Sequence, residues 1–298
     1  MSHRSAAARG AALLALAAGL LGACSSDPAA PADLTSASPD FATSSTGATI
    51  VTEADVSRQA EDTPPLASWV VYTRNAGSGA FQVGPGTVPE GVGSFGTTTP
   101  TSADKVQLFN FDYVGTPLAD ITALGYATWR TSGDAPNQVP AINLVVDYNG
   151  PDVTGGFTTL IFEPVYNTSQ GAITDGAWQT WDAFADGNAV WWSSKPIPGV
   201  CDFNCFVTWN TILANNPDAT ILGGVGVNQG SGNPALIAAS DAFVFGVGGT
   251  TTTYDFEPYV TATTRDACRN DGWEEARRAD GTSFRNQGDC VSYVQTGR

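Results

Sequence analysis

Four indoles crowd a short stretch of the chain, Trp178 and Trp181 followed by Trp191 and Trp192, with Trp129 upstream. An exposed indole is a flat apolar platform on which a sugar ring can lie, and a buried one is core packing. Neighbouring residues on a strand face opposite ways, so Trp191 and Trp192 cannot both point inward without a bulge. Trp178 and Trp181, three apart, also face opposite sides in a regular strand. Asp147, Asn149 and Asp152 flank a Gly150-Pro151 turn and offer hard oxygen ligands suited to a structural Ca²⁺. That run lacks the spacing and closing Glu of a full EF-hand loop, and an Asx-type turn is the competing account. Asp241, Asp255 and Glu257 are further oxygen donors toward a structural calcium. Glycoside hydrolysis needs two positioned carboxyl groups and no histidine. Between residues 66 and 260 the glutamates are Glu90, Glu163 and Glu257. Glu163, in Phe162-Glu163-Pro164, could face a concave surface, although a solvated outward position is simpler.

The only histidine is His3, inside a segment with the pattern of an export signal. Met1–Arg4 and Arg9 supply its positive region, and the uncharged, mostly apolar run Gly10–Ala23 is too short to span a bilayer of about 30 Å. Cleavage before Cys24 leaves 11 basic against 29 acidic residues, a net charge of −18, and no histidine. Ser-His-Asp and Cys-His catalysis and histidine-ligated metals are thereby excluded. The negative excess also argues against nucleic acid and anionic membrane surfaces as partners.

Leu21-Gly22-Ala23-Cys24 resembles the lipobox of bacterial lipoproteins, which implies that Cys24 becomes the lipid-bearing first residue of an envelope-anchored chain. The other cysteines are Cys201, Cys205, Cys268 and Cys290. An oxidising compartment favours two disulfides, and of the three connectivities the local one, Cys201–Cys205 with Cys268–Cys290, is expected. An i,i+4 pair in a turn can bring its Cα atoms within the roughly 4.4–6.8 Å that a disulfide tolerates.

Stepping along the chain, three compositions follow the signal. Residues 24–65 are rich in Ala, Ser, Thr, Pro and Asp and read as a flexible tether, with at most a transient helical turn over 51–60. From 66 to 263, period-two runs signal half-buried strands. They include 68–73, 106–113, 142–148 and 160–166, then 123–131, 176–184, 190–193, 220–227, 240–247 and 251–256. One helix is expected, over 206–215, while the glycine-dense stretches 77–96 and 223–232 are expected as loops and bulges. Many strands without alternating helices make the domain an antiparallel β-sandwich or jelly roll. Residues 264–298 read as a disulfide-stapled module with a short helix over 266–278.

The core resembles jelly-roll domains of the concanavalin A-like or galactose-binding-like kind. The residues that carry the likeness are Val190-Trp-Trp-Ser193, Val200–Trp209 and Ser240–Gly246. The tail, Cys268-Arg-Asn-Asp-Gly-Trp273 with Phe284-Arg-Asn-Gln-Gly-Asp-Cys-Val-Ser-Tyr293, resembles a cysteine module at the ends of uncharacterised exported bacterial proteins. Together the two cover about three quarters of the chain. The first resemblance implies that sugar binding is common among such domains, which makes Trp178, Trp181, Trp191 and Trp192 the candidate contacts with a polysaccharide or other glycan; the second implies no activity. The expectation is a lipid-anchored, carbohydrate-binding surface protein. The alternatives are a structural or adhesive envelope protein and a carboxylate-based glycoside hydrolase. Nothing in the sequence sets the oligomeric state.

Overall fold

The computed structural model describes residues 47–297. The expected signal segment, Cys24 and the part of the expected tether up to residue 46 lie outside the described residues.

Two mixed sheets pack face to face as a β-sandwich. The first contains β1 (Thr49–Val51), β4 (Ser78–Val83), β5 (Gly93–Thr99), β7 (Ile121–Ser132), β10 (Trp178–Asp182), β14 (Leu236–Val247) and β15 (Thr250–Phe256). Its path runs β1-β15-β14-β5-β4, and β7 pairs with both β14 and β10. The second runs β12 (Val207–Thr208), β11 (Val190–Ser193), β9 (Phe157–Phe162), β8 (Ala141–Asp147), β13 (Thr220–Gly230), β6 (Lys105–Asn110), β3 (Trp69–Arg74) and β2 (Val56–Ala60).

Alternation decides what lies between the sheets. Val106 and Leu108 on β6, Ile142, Leu144 and Val146 on β8, and Leu160 and Phe162 on β9 all point inward and are buried. Across from them, Phe243 and Phe245 of β14 and Phe256 of β15 close the core. Each such side chain removed from water contributes about 1.5–3 kcal/mol.

The sandwich begins earlier than composition suggests. Residues assigned to the tether form β1, which pairs parallel with β15, and β2, which pairs parallel with β3. Within 51–60 there is a short 3₁₀ turn at Glu53–Asp55, capped by Thr52, and then strand rather than α-helix. These two parallel pairs are the departure from a purely antiparallel sandwich. The stretch 77–96, expected as loop, carries β4 and the start of β5; its Gly and Thr content masks the alternation. The helix expected over 206–215 is present as α1 (Trp209–Asn215), capped by Thr208.

Residues past 260 build a small core of their own around Ala262, Cys268, Ala276, Phe284 and Cys290. The expected helix over 266–278 is broken: a 3₁₀ turn at Asp266–Cys268 and a four-residue α2 (Gly272–Glu275) flank Asn270 and Asp271, both left-handed. The main helix is instead α3 (Gln287–Thr296), started by the Asn286 side chain on the Asp289 N–H and ended at left-handed Gly297. Both disulfides form as paired by spacing, with Cα separations of 5.4 Å for Cys201–Cys205 and 5.7 Å for Cys268–Cys290.

Candidate functional site: a groove across the second sheet

Where inward residues make the core, their neighbours make the outer face of the second sheet. Strand register aligns Trp192, Ile161, Asn143, Gly226 and Phe109 in one transverse row. A parallel row aligns Ala141, Asn228, Gln107 and Tyr72. Gly226 leaves a gap in the first row. Its φ of +152° suits glycine, and a Cβ there would collide with the Leu108 carbonyl.

A groove of about 540 Å³ lies on this face, with Asn143, Asn228, Ile161 and Thr159 on its floor and Trp192 and Phe203 at one end. A second depression of about 320 Å³ shares Lys105, Asn143 and Thr159 with it and continues past Phe109 and Phe111. The aromatic end is built by a small loop. The Cys201–Cys205 disulfide closes a turn that presents Phe203 and Phe206, both exposed. The Phe203 ring meets Trp192 edge-on at 5.0 Å, and Phe206 stacks on Tyr166 at 4.0 Å.

Chemistry at that end centres on two side chains. Trp192 donates its Nε1–H to Glu163 Oε2 at 2.8 Å, which orients both the indole plate and the carboxylate. Burial raises the Glu163 pKa, while the indole hydrogen bond acts the other way. On the floor, the side-chain oxygens of Asn143 and Asn228 are sealed from water and have no hydrogen-bond partner. An orphaned acceptor of this kind costs about 1–3 kcal/mol. A hydroxyl donor settling on the floor would offset that cost after a small turn of either amide. At the far end the charges are already matched: Lys105 Nζ lies 2.5 Å from Glu61 Oε1, and Arg74 Nη1 2.9 Å from Glu61 Oε2. The groove can therefore take a ligand with apolar faces, many hydroxyls and no net charge.

Of the four tryptophans expected at a ligand, the structure places one in the groove. Trp181 and Trp191 are 0% exposed, their N–H groups held by Thr128 Oγ1 and the Ala183 carbonyl, so neither has surface for a ligand. Trp178 is half-buried on the opposite sheet, with its N–H on the Pro85 carbonyl. Glu163, expected more simply at a solvated position, is in the groove. Asn143 and Asn228 were not singled out from sequence; the signal available for Asn143 was its polar place in an apolar alternation.

The loop expected to hold calcium is only partly assembled. Asp147 and Asn149 direct their side-chain oxygens at one point beside Gly156, and the Asn149 oxygen is buried without a partner. The Asn149 N–H also bonds Asp147 Oδ1 at 3.3 Å, the Asx-type contact. Asp152 is exposed on the same loop and does not join them. Among the described residues, no three His, Cys, Asp or Glu side chains stand ready-arranged for a metal ion. No helix among them is long and apolar enough to cross a membrane. The sequence matches no protein-family model, and no curated protein or solved structure matches it.

Proposed function

We propose that this chain is a lipid-anchored envelope protein whose groove binds a neutral polysaccharide strand lying across the second sheet. The observation that carries the reading is the Trp192–Glu163 pair at the aromatic end of a groove lined by the Asn143 and Asn228 amides. Indole and phenyl faces suit the C–H faces of sugar rings, and the amides and carboxylate suit their hydroxyls. A cleft of this shape also differs from the flat apolar patch that an adhesive surface would use. Hydrolysis needs two carboxyl groups about 5–10 Å apart across one bond. Here Glu163 is the carboxyl at the Trp192 end, and Glu61 at the other end is held by Arg74 and Lys105. Binding is the better match.

Anchoring rests on the Cys24 pattern and is compatible with the fold. The described chain enters the sandwich through β1, in the sheet opposite the groove. The test is binding of the mature protein to a panel of polysaccharides. Trp192→Ala should weaken binding by about tenfold or more, the size of a lost aromatic anchor. Trp178→Ala, on the other sheet, should leave it unchanged. A panel with no binder, or equal affinity for wild type and Trp192→Ala, would contradict the proposal.

A further inference from the structure

On the opposite sheet, four carboxyl groups gather where the strands splay. β14 pairs with β5 over Leu236–Ser240 and with β15 over Phe243–Val247, and its register with β7 shifts between Asp241 and Val244. Asp241 sits in that break, wholly buried, accepting from the N–H of Phe256 at 3.0 Å and of Glu90 at 3.1 Å. Asp255 and Glu257 stand at the end of β15, and Glu257 Oε1 accepts from the N–H of Val92 at 2.5 Å and of Gly93 at 2.9 Å. The Asp255 and Glu257 carboxyls, 6% and 2% exposed, lie within hydrogen-bond reach of each other, and no other group donates to Asp255 Oδ1 or Glu257 Oε2, both buried. Gly91, at φ +54°, packs against them so closely that a Cβ would collide with Glu257 Oε1.

No lysine or arginine among the described residues forms an ion pair with Asp241, Asp255, Glu257 or the fourth carboxyl, that of Glu90. Asp255, Glu257 and Glu90 line a pocket of about 560 Å³, whose other walls include Ala48 and Ile50 of the N-terminal segment and Thr261 and Thr264 of the linker to the C-terminal module. An isolated buried carboxylate is costly, and the cluster has to be neutralised by protons or by a cation.

We propose that Asp255 and Glu257, backed by the charge of Asp241, form a calcium site that fastens the N-terminal strand and the linker to the end of β15. The donors are all hard oxygens, which select Ca²⁺ or Mg²⁺ over softer-liganded metals. The roomy pocket favours Ca²⁺, which accepts six to eight oxygens in flexible geometry where Mg²⁺ demands a near-ideal octahedron. Two buried carboxylates would hold the ion, with Glu90 drawn in from the rim and water completing the shell. The site lies on the other sheet from the groove and stands independently of glycan binding.

The experiment is calorimetric titration of CaCl₂ and MgCl₂ into metal-stripped mature protein near pH 7.5, with hydrogen exchange followed in parallel. One Ca²⁺ per chain should bind, tighter than Mg²⁺, with slower exchange over residues 49–51. Asp255→Asn and Glu257→Gln should each weaken Ca²⁺ at least tenfold and melt at or above wild type in EDTA at pH 8, since each removes an uncompensated charge. Asp147→Asn should leave the affinity intact. No calcium binding at millimolar concentration would overturn the proposal, as would binding that survives both cluster substitutions or is lost only in Asp147→Asn. Should the cluster variants not fold, calcium-dependent protection at 49–51 in the wild type still decides it: unchanged exchange there contradicts the proposal.

Discussion

Trp191 and Trp192 follow one another on β11, yet Trp191 packs beside Trp209 at 5.3 Å while Trp192 lines the groove with its N–H on Glu163. Truncating them should separate two effects. Trp191→Ala should cost about 3–5 kcal/mol in equilibrium unfolding, as a core deletion does, whereas Trp192→Ala should change stability far less and act on glycan affinity. Glu163 supplies a pH signature. Its pKa is raised, so it loses its charge on acidification earlier than an ordinary glutamate. If the carboxylate accepts sugar hydroxyls, affinity should fall as pH drops through that raised value, and Glu163→Gln should flatten the profile; an unchanged profile in the variant would remove Glu163 from the contact. That adjacent indoles part ways was legible in the period-two pattern. Which of them met solvent was not, because that depends on which face of the second sheet the first one covers. Asn143 and Asn228 were illegible as a pair, being 85 positions apart in sequence and neighbours only through β13 register.

Among the elements, the alternators β6, β8 and β9 could be read directly, since Val106 and Leu108, then Ile142, Leu144 and Val146, then Leu160 and Phe162 recur at every second position on the inward face. β1 and β2 could not. Thr49–Val51 and Val56–Ala60 are short and flanked by polar residues, and they gain order from parallel pairing to β15 and β3 rather than from their own pattern. A protein truncated to begin at Leu66 should therefore lose stability, seen as a lower melting temperature, because Val51 is buried at 1% exposure and the edges of β15 and β3 would be bared. A truncation with unchanged melting would return these strands to the tether. The Cys201–Cys205 loop makes the opposite prediction. Cys201→Ser with Cys205→Ser should weaken glycan binding by loosening Phe203 and Phe206, with little effect on melting, since those rings are exposed and the closed loop is short. In the tail, the left-handed Asn270 and Asp271 broke a helix that spacing alone would have continued.

At the level of the whole molecule, charge governs both partner and pH response. A formal net charge of −16 disfavours uronate and phosphate polymers, which is why the proposed ligand is a neutral glycan. The same excess bears on stability. Asp241 and Asp255 have folded pKa values of about 7 and about 8, above those of ordinary carboxyls, so the folded state binds protons that the unfolded state has released. Their contribution is complete below about pH 4 and is lost as pH rises through 7 to 8. In EDTA, unfolding free energy should fall across that window, and Asp255→Asn should reduce the fall; a profile identical in the variant would mean the cluster does not drive it. Cys24→Ala should abolish lipid labelling and release the protein from membranes, and retained labelling would contradict the anchor. The most direct test of the central claim is to follow the tryptophan indole N–H signals by NMR while titrating neutral polysaccharides that the panel identifies. Selective movement of the Trp192 signal, with those of Trp178, Trp181 and Trp191 left in place, is the predicted result. Movement of Trp178 in place of Trp192, or of no indole with any polysaccharide, would contradict the account.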